Sequence, residues 1–275
     1  MKKHSLVTIP STEERLVRSS TIDQEYVISV ALPYHYHENS DRTYPVLYVL
    51  DSNWNFGLVV EMVRTMNTRV SFCNELPDAI IVGIGYPNGE TLAEKHAQVC
   101  HRRLRDLTSM RDEALEEWHR TTVPINERIQ SGGSSKFLEF IKYQIMPLIE
   151  SEYHVDASNR TLLGHSLGGL FALNVAFMYP ELFQKYVISS PAEIYENESW
   201  FKGTSINLSA RMYLSTGEAE LELEENGRTR FNQLAQLLRS RLTGGNALVE
   251  QIFPKLTHCA VVAPAYQAGL AAVLP

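Results

Sequence analysis

Three apolar segments of strand length stand out before residue 90. In the first, Tyr26, Ile28, Val30 and Leu32 alternate with smaller or more polar neighbours, the two-residue period of a half-buried strand. Pro45–Leu50 and Asp78–Ile84 are instead almost continuously apolar, as strands covered on both faces are. Covered strands predict helices on both sides of a largely parallel sheet.

The pattern then changes period. Ser134 and Ser135 can cap a helix whose apolar positions Phe137, Phe140, Ile141, Ile145, Leu148 and Ile149 form one stripe, and Pro147 inside it predicts a kink. Arg160–Leu163 reads as a strand, Leu167–Phe177 as an apolar helix and Tyr186–Ser189 as a strand, together a βαβ unit. Arg211–Ser215 and Leu248–Phe253 are further strands, Arg228–Leu242 and Val261–Leu274 further helices. No repeat or linker divides the chain, so residues 1–275 read as one α/β domain. The charged stretch Ser109–Gln130, followed by Ser131-Gly132-Gly133, interrupts the alternation. This 109–133 excursion suits a cap over a site or, equally, a solvated surface helix.

The sharpest chemical signal is Gly164-His165-Ser166-Leu167-Gly168-Gly169, a G-x-S-x-G run between a predicted strand and a predicted helix. A tight turn that lifts a serine hydroxyl above the sheet leaves no room for side chains two positions before and after it. The following helix aims its free N–H groups at the place where an acyl oxyanion develops. A serine hydroxyl needs a base, and the base an orienting acid. In hydrolases with such a turn these follow in the order Ser, acid, His. His258 is the sole histidine after Ser166, which makes it the candidate base. The acid belongs after the 211–215 strand, where Glu218, Glu220 and Glu222 all occur. Glu220 is favoured, with Glu218 second. Candidate oxyanion donors are the amides of Leu167 and of Ser52 or Asn53. Arg102, Arg105 and His165 are candidate substrate contacts.

Composition narrows the partners. A formal charge of −7 excludes a broad nucleic-acid surface, which needs clustered cations. The local cluster Arg102, Arg103 and Arg105 is read first as a network with Asp106 or a solvated turn. Cys73, Cys100 and Cys259 are too scattered for a disulfide framework or a zinc site, and fit a reducing compartment. Tyr34-His35-Tyr36-His37-Glu38 is the one dense histidine cluster and is read as surface loop, so neither a metal nor an organic cofactor is expected. No apolar core follows Met1-Lys2-Lys3, and no later stretch is long and apolar enough to span a bilayer. A cytoplasmic protein without membrane contact is expected.

Several blocks recur together. Tyr48–Asp51, Val82–Pro87, Arg102–Thr108, Gly164–Leu170, Ser189–Pro191 and Gly217–Glu220 make the chain resemble the Putative esterase family, which includes esterase D-like enzymes and the enterobactin and salmochelin esterases. The resemblance implies an α/β-hydrolase fold, a Ser166 nucleophile, a His258 base and, from a Gly-x-x-acid block, Glu220 as the acid. It implies an acyl-enzyme esterase acting on a small-molecule ester. Two alternatives stand beside that reading: a siderophore trilactone esterase whose arginine cluster grips the ligand, and a non-catalytic ligand-binding module on a hydrolase scaffold. The chain departs from the family at Ser52, where relatives carry glycine after Leu-Asp, and at Ala192-Glu193-Ile194-Tyr195 after Ser190-Pro191.

Overall fold

A computed structural model describes residues 7–38, 41–70, 73–87, 91–123, 130–192, 201, 203, 207–223, 225–243 and 247–275. Eight strands form one mixed sheet: β1 (Thr12–Arg18), β2 (Glu25–Ala31), β3 (Tyr44–Leu50), β4 (Ile80–Gly85), β5 (Val155–His165), β6 (Lys185–Ser189), β7 (Arg211–Gly217) and β8 (Leu248–Phe253). Their order across the sheet is β1-β2-β4-β3-β5-β6-β7-β8. The pairings β1/β2 and β2/β4 are antiparallel, and every later one is parallel. This is the mostly parallel sheet of the α/β-hydrolase type.

Continuous apolar strands follow from what covers them. Tyr48, Leu50, Val82, Leu162 and Ile188 join the core on one face, whereas Leu47, Val49, Ile81, Leu163 and Val187 join the core on the other. The first face carries α2 (Leu92–Leu107), α4 (Ser134–Phe140), α5 (Met146–Glu152), α6 (Leu167–Met178) and α8 (Gly227–Arg241), and the second α1 (Ser52–Met66) and α9 (Val262–Val273). β2 departs from the half-buried expectation, since every residue from Tyr26 to Ala31 is buried. It is second from the edge, shielded by β1, whose burial alternates and whose Leu16 is 59% exposed.

The kink expected at Pro147 takes a definite form. Between α4 and α5 the chain makes one wide π turn, Ile141–Ile145, and Pro147 falls in the first turn of α5. A proline there has no amide to bond, and the widened turn before it makes room for the ring. The excursion at 109–133 contains a short helix, α3 (Glu113–Thr122), capped by Asp112, whose carboxylate accepts from Leu115 N. No helix among the described residues is long and apolar enough to cross a membrane.

Candidate active site

The carboxyl ends of the parallel strands converge on one edge, where an α/β sheet places its ligands. β5 delivers Ser166, which adopts φ 60° and ψ −122° as the residue before α6. The strain is over-determined by backbone bonds: Ser166 N donates to Ser189 O at 3.0 Å, and its carbonyl accepts from Leu170 N and Ala192 N, both at 3.0 Å. Gly164 is required sterically, because a Cβ there would lie 2.1 Å from Gly168 O. The first amide of α6, Leu167 N, has no carbonyl one turn earlier to bond.

β7 delivers the acid. It runs into α7 (Glu218–Leu223), which turns Glu220 back over the strand end. Glu220 Oε2 lies 2.6 Å from His258 Nδ1. Its other oxygen accepts from Gly217 N at 2.8 Å and from the hydroxyls of Ser190 and Thr216. Partial burial opposes ionisation of Glu220, but the bonds from His258, Ser190, Thr216 and Gly217 prevail and hold its carboxyl down at about 2. With Nδ1 engaged, Nε2 is the nitrogen left for proton transfer.

β8 delivers the imidazole. Its following loop comes so close to β7 that a Cβ at Gly217 would lie 2.2 Å from Leu256 O, and Ala219 N bonds that same carbonyl at 3.1 Å. This approach brings His258, two residues later, to Glu220. Behind it packs His165, ring centroids 4.5 Å apart, with His165 Nδ1 3.2 Å from Ser189 Oγ. Burial first, then the neighbouring His258, depress His165 to about 3, so it stays neutral and adds no charge against an imidazolium.

Ser166, Glu220 and His258 line one cavity of about 570 Å³ with Leu167, Thr216 and Arg103. Its apolar wall comes from Leu221, Phe231 and Leu234 on α7 and α8, and α3 adds Leu115 and Trp118. The structure separates the arginine cluster. Arg103 reaches the cavity, whereas Arg102 and Arg105 do not line it. Arg105 is bound by Asp106, Nε to Oδ1 at 2.6 Å, and by the Tyr26 hydroxyl at 3.2 Å. The reason is helical: Arg102–Arg105 belongs to α2, not a turn, so His96, Cys100 and Arg103 share one stripe and their neighbours point elsewhere. Its N-terminal signal was legible, since Thr91 and Glu94 form a capping box. His165 likewise packs behind His258 rather than lining the cavity. Glu218 accepts from Arg228 and from Lys255 N, bracing the turn away from the imidazole. Glu222 is exposed on α7, while Glu193, Ile194 and Tyr195 lie outside the described residues. Among the described residues no group of histidine, cysteine and carboxylate side chains could hold a metal.

Ser190 and Thr216, the two hydroxyl donors on Glu220, were not anticipated. Their signal was positional: each sits at the carboxyl end of a strand beside a recognisable block.

The sequence profile described as Putative esterase matches residues 19–241. The chain belongs to this family. It is 32% identical over 240 residues to the ferri-bacillibactin esterase of Bacillus subtilis, covering 86% of this chain and 78% of that one. It is 27% identical to the siderophore triacetylfusarinine C esterase of Aspergillus fumigatus, covering 76% of this chain and 63% of that one. The crystal structure of the BES protein from Bacillus cereus superposes with a TM-score of 0.77 at 27% identity, over 99% of this chain and 97% of that one. The protein is an ester-hydrolysing enzyme.

The depressed carboxyl gives this esterase a pH signature. Because the folded value of Glu220, about 2, lies below its ordinary value of 4.5, the carboxylate contributes stability at pH values above the unfolded value. That contribution is lost as pH falls through the two values toward 2. Thermal melts of wild type and Glu220→Gln between pH 6 and 3 should show a shallower loss of Tm in the variant. Parallel curves would refute this assignment.

Proposed function

We propose that the esterase works through an acyl-enzyme on Ser166, with His258 as base and Glu220 as orienting acid. His258 Nε2 takes the hydroxyl proton as Oγ attacks the ester carbonyl. The amides of Leu167 and of Ser52 or Asn53 stabilise the oxyanion. The imidazolium gives its proton to the departing alcohol, and a water activated by His258 then releases the acid and restores Ser166. The observation that carries this reading is the Glu220–His258 hydrogen bond at a cavity that Ser166 also lines. A fluorophosphonate should label Ser166, located by peptide mass spectrometry. Absence of label on folded protein overturns the reading.

Glu220→Ala should lower kcat by roughly 10²- to 10⁴-fold, and Glu218→Ala should do so by less than about threefold, because Glu218 contacts Arg228 and Lys255 instead. A larger loss in Glu218→Ala reverses the assignment.

The substrate belongs to small-molecule carboxylic esters, and a siderophore lactone is the second reading. The two siderophore esterases above support it, as does a cavity large enough for a drug-sized ligand. Recognition by a row of free arginines is not part of it, since Arg103 and Arg105 each hold a carboxylate. Hydrolysis of p-nitrophenyl butyrate compared with an iron-loaded triscatechol trilactone separates the two substrates. The reading includes a cytoplasmic location and one α/β domain, with 109–133 as a cap: α3 contributes Leu115 and Trp118 to the cavity.

A further inference from the structure

α3 turns one stripe to the catalytic cavity. Leu115, Trp118, His119, Thr122 and Val123 all line it, at positions i, i+3, i+4, i+7 and i+8 of the helix and its C-terminal cap, the spacing that puts side chains on one face. Glu113, Glu117 and Arg120 are exposed. Leu115 and Val123 are half-buried, whereas the Trp118 indole is left 61% exposed. His119 is buried. Burial first, then His101 and Arg103, hold it below the ordinary histidine range, so it is neutral at neutral pH.

The rest of the cavity matches that stripe. Leu104, Leu221, Phe231 and Leu234 add apolar surface. Arg103 and Glu220 are the arginine, lysine or carboxylate side chains among the described lining residues, and each is engaged: Arg103 donates to both oxygens of Asp51 at 2.9 Å, and Glu220 bonds His258. A charged ligand group would lose its water there without gaining an unpaired opposite charge from these residues. An apolar group gains by covering Leu115, Trp118 and Val123.

A carboxylate off the stripe fixes α3 in place. Glu116 does not line the cavity and is buried, 4% exposed. Its Oε1 accepts from Ser131 N at 2.9 Å and from Ser131 Oγ at 2.8 Å, and Ser131 Oγ accepts from Asp112 N at 2.8 Å. The residue that caps α3 is thereby tied to the far end of the excursion. The chain leaving Ser131 is then bonded to the end of α2: Gly132 N donates to Thr108 Oγ1 at 2.7 Å, Gly133 N to Arg105 O at 2.8 Å and Ser134 N to Thr108 O at 3.0 Å.

We propose that α3 selects the substrate: its stripe receives a neutral apolar group of the ester, and the Glu116–Ser131 pair is the latch that fixes the stripe against it. The proposal rests on the acyl-enzyme reading for its reaction centre. Glu116 and Ser131 are positioning residues in this scheme, since they touch α3 and not the ester.

The test compares kcat/KM for p-nitrophenyl hexanoate and acetate, which lengthens the acyl group, and for hexyl and ethyl acetate followed by pH-stat, which lengthens the alcohol. Each ratio is taken on one preparation, so the folded fraction cancels. Full burial is worth about fourfold per methylene, and the long ester should lead by at least about tenfold in one series or the other. Leu115→Ala and Trp118→Ala should each lower that ratio about fivefold. Glu116→Ala should lower it as much, a change that a loss of stability alone would show in Tm but not in the ratio. Ser131→Ala, which keeps the amide bond to Glu116 and loses the hydroxyl one, covers the case in which Glu116→Ala does not fold, and should lower the ratio about threefold. A lead smaller than tenfold in both series, ratios untouched by Leu115→Ala and Trp118→Ala, or a higher kcat/KM on an iron-loaded triscatechol trilactone than on the hexanoate would overturn the selector while Ser166 still takes its label. A ratio unmoved in both latch variants overturns the latch. Wild-type Ser166 that takes no label overturns the acyl-enzyme reading and this proposal together.

Discussion

Ser166→Ala is expected to lower kcat on p-nitrophenyl butyrate by about 10⁵- to 10⁶-fold, and His258→Ala by nearly as much. A loss of 10⁶ is about 8 kcal/mol of transition-state stabilisation. It is large because each residue is useless alone: without the imidazole the hydroxyl stays protonated, and without the hydroxyl the imidazole has no bound nucleophile to activate. The double variant should therefore lose no more than about threefold beyond the worse single variant, leaving what binding and the oxyanion amides supply. Neither variant should unfold. His258 is 46% exposed at its side chain, and the strained Ser166 turn is held by backbone bonds to Ser189, Leu170 and Ala192 that alanine keeps. Additive losses in the double variant, or single variants within tenfold of wild type, would show that the two side chains do not act as a unit.

Gly164→Ala should be the most damaging single methyl group added at any of the described glycines. The added carbon would meet backbone, Gly168 O at 2.1 Å and Gly168 C at 2.4 Å, and no side chain can rotate away to relieve it. Either α6 or the end of β5 must move. All of α6 from Leu167 to Phe177 is buried, so displacing it disturbs the core. Overpacking of this kind costs roughly 3 kcal/mol or more, a fall in Tm of about 6–12 °C for a chain of this size. The protein that still folds should have lost most of its activity, because Leu167 N moves with the helix. A variant within about 2 °C of wild type and still active would mean that the turn is looser than the geometry requires.

The periodicity of the chain was enough for seven of the eight strands and for helices on both faces, because burial on both faces leaves strands such as Tyr44–Leu50 and Ile80–Gly85 with almost no polar positions; the edge strand Thr12–Arg18 and the helix Ser52–Met66 escaped it. A glycine-flanked serine between strand and helix, and a single later histidine, were likewise legible in one dimension, since steric need and chain order leave their mark on residue type. The helical nature of 92–107 escaped despite its capping box, and with it which arginine faces the cavity: three arginines within four positions look alike in sequence, but a helix turns each through about 100°. Spacing left Glu218 and Glu220 as rivals; the contact with His258 and the two hydroxyls beneath it exist only because α7 folds Glu220 back over the end of β7. Residue type and period thus determined most of the sheet, the glycine-flanked serine turn and the later histidine. Tertiary structure decided the partners, because a hydrogen bond between residues 38 positions apart, or the pairing of Asp51 with an arginine 52 positions later, depends on how strand ends meet in space and leaves no local trace.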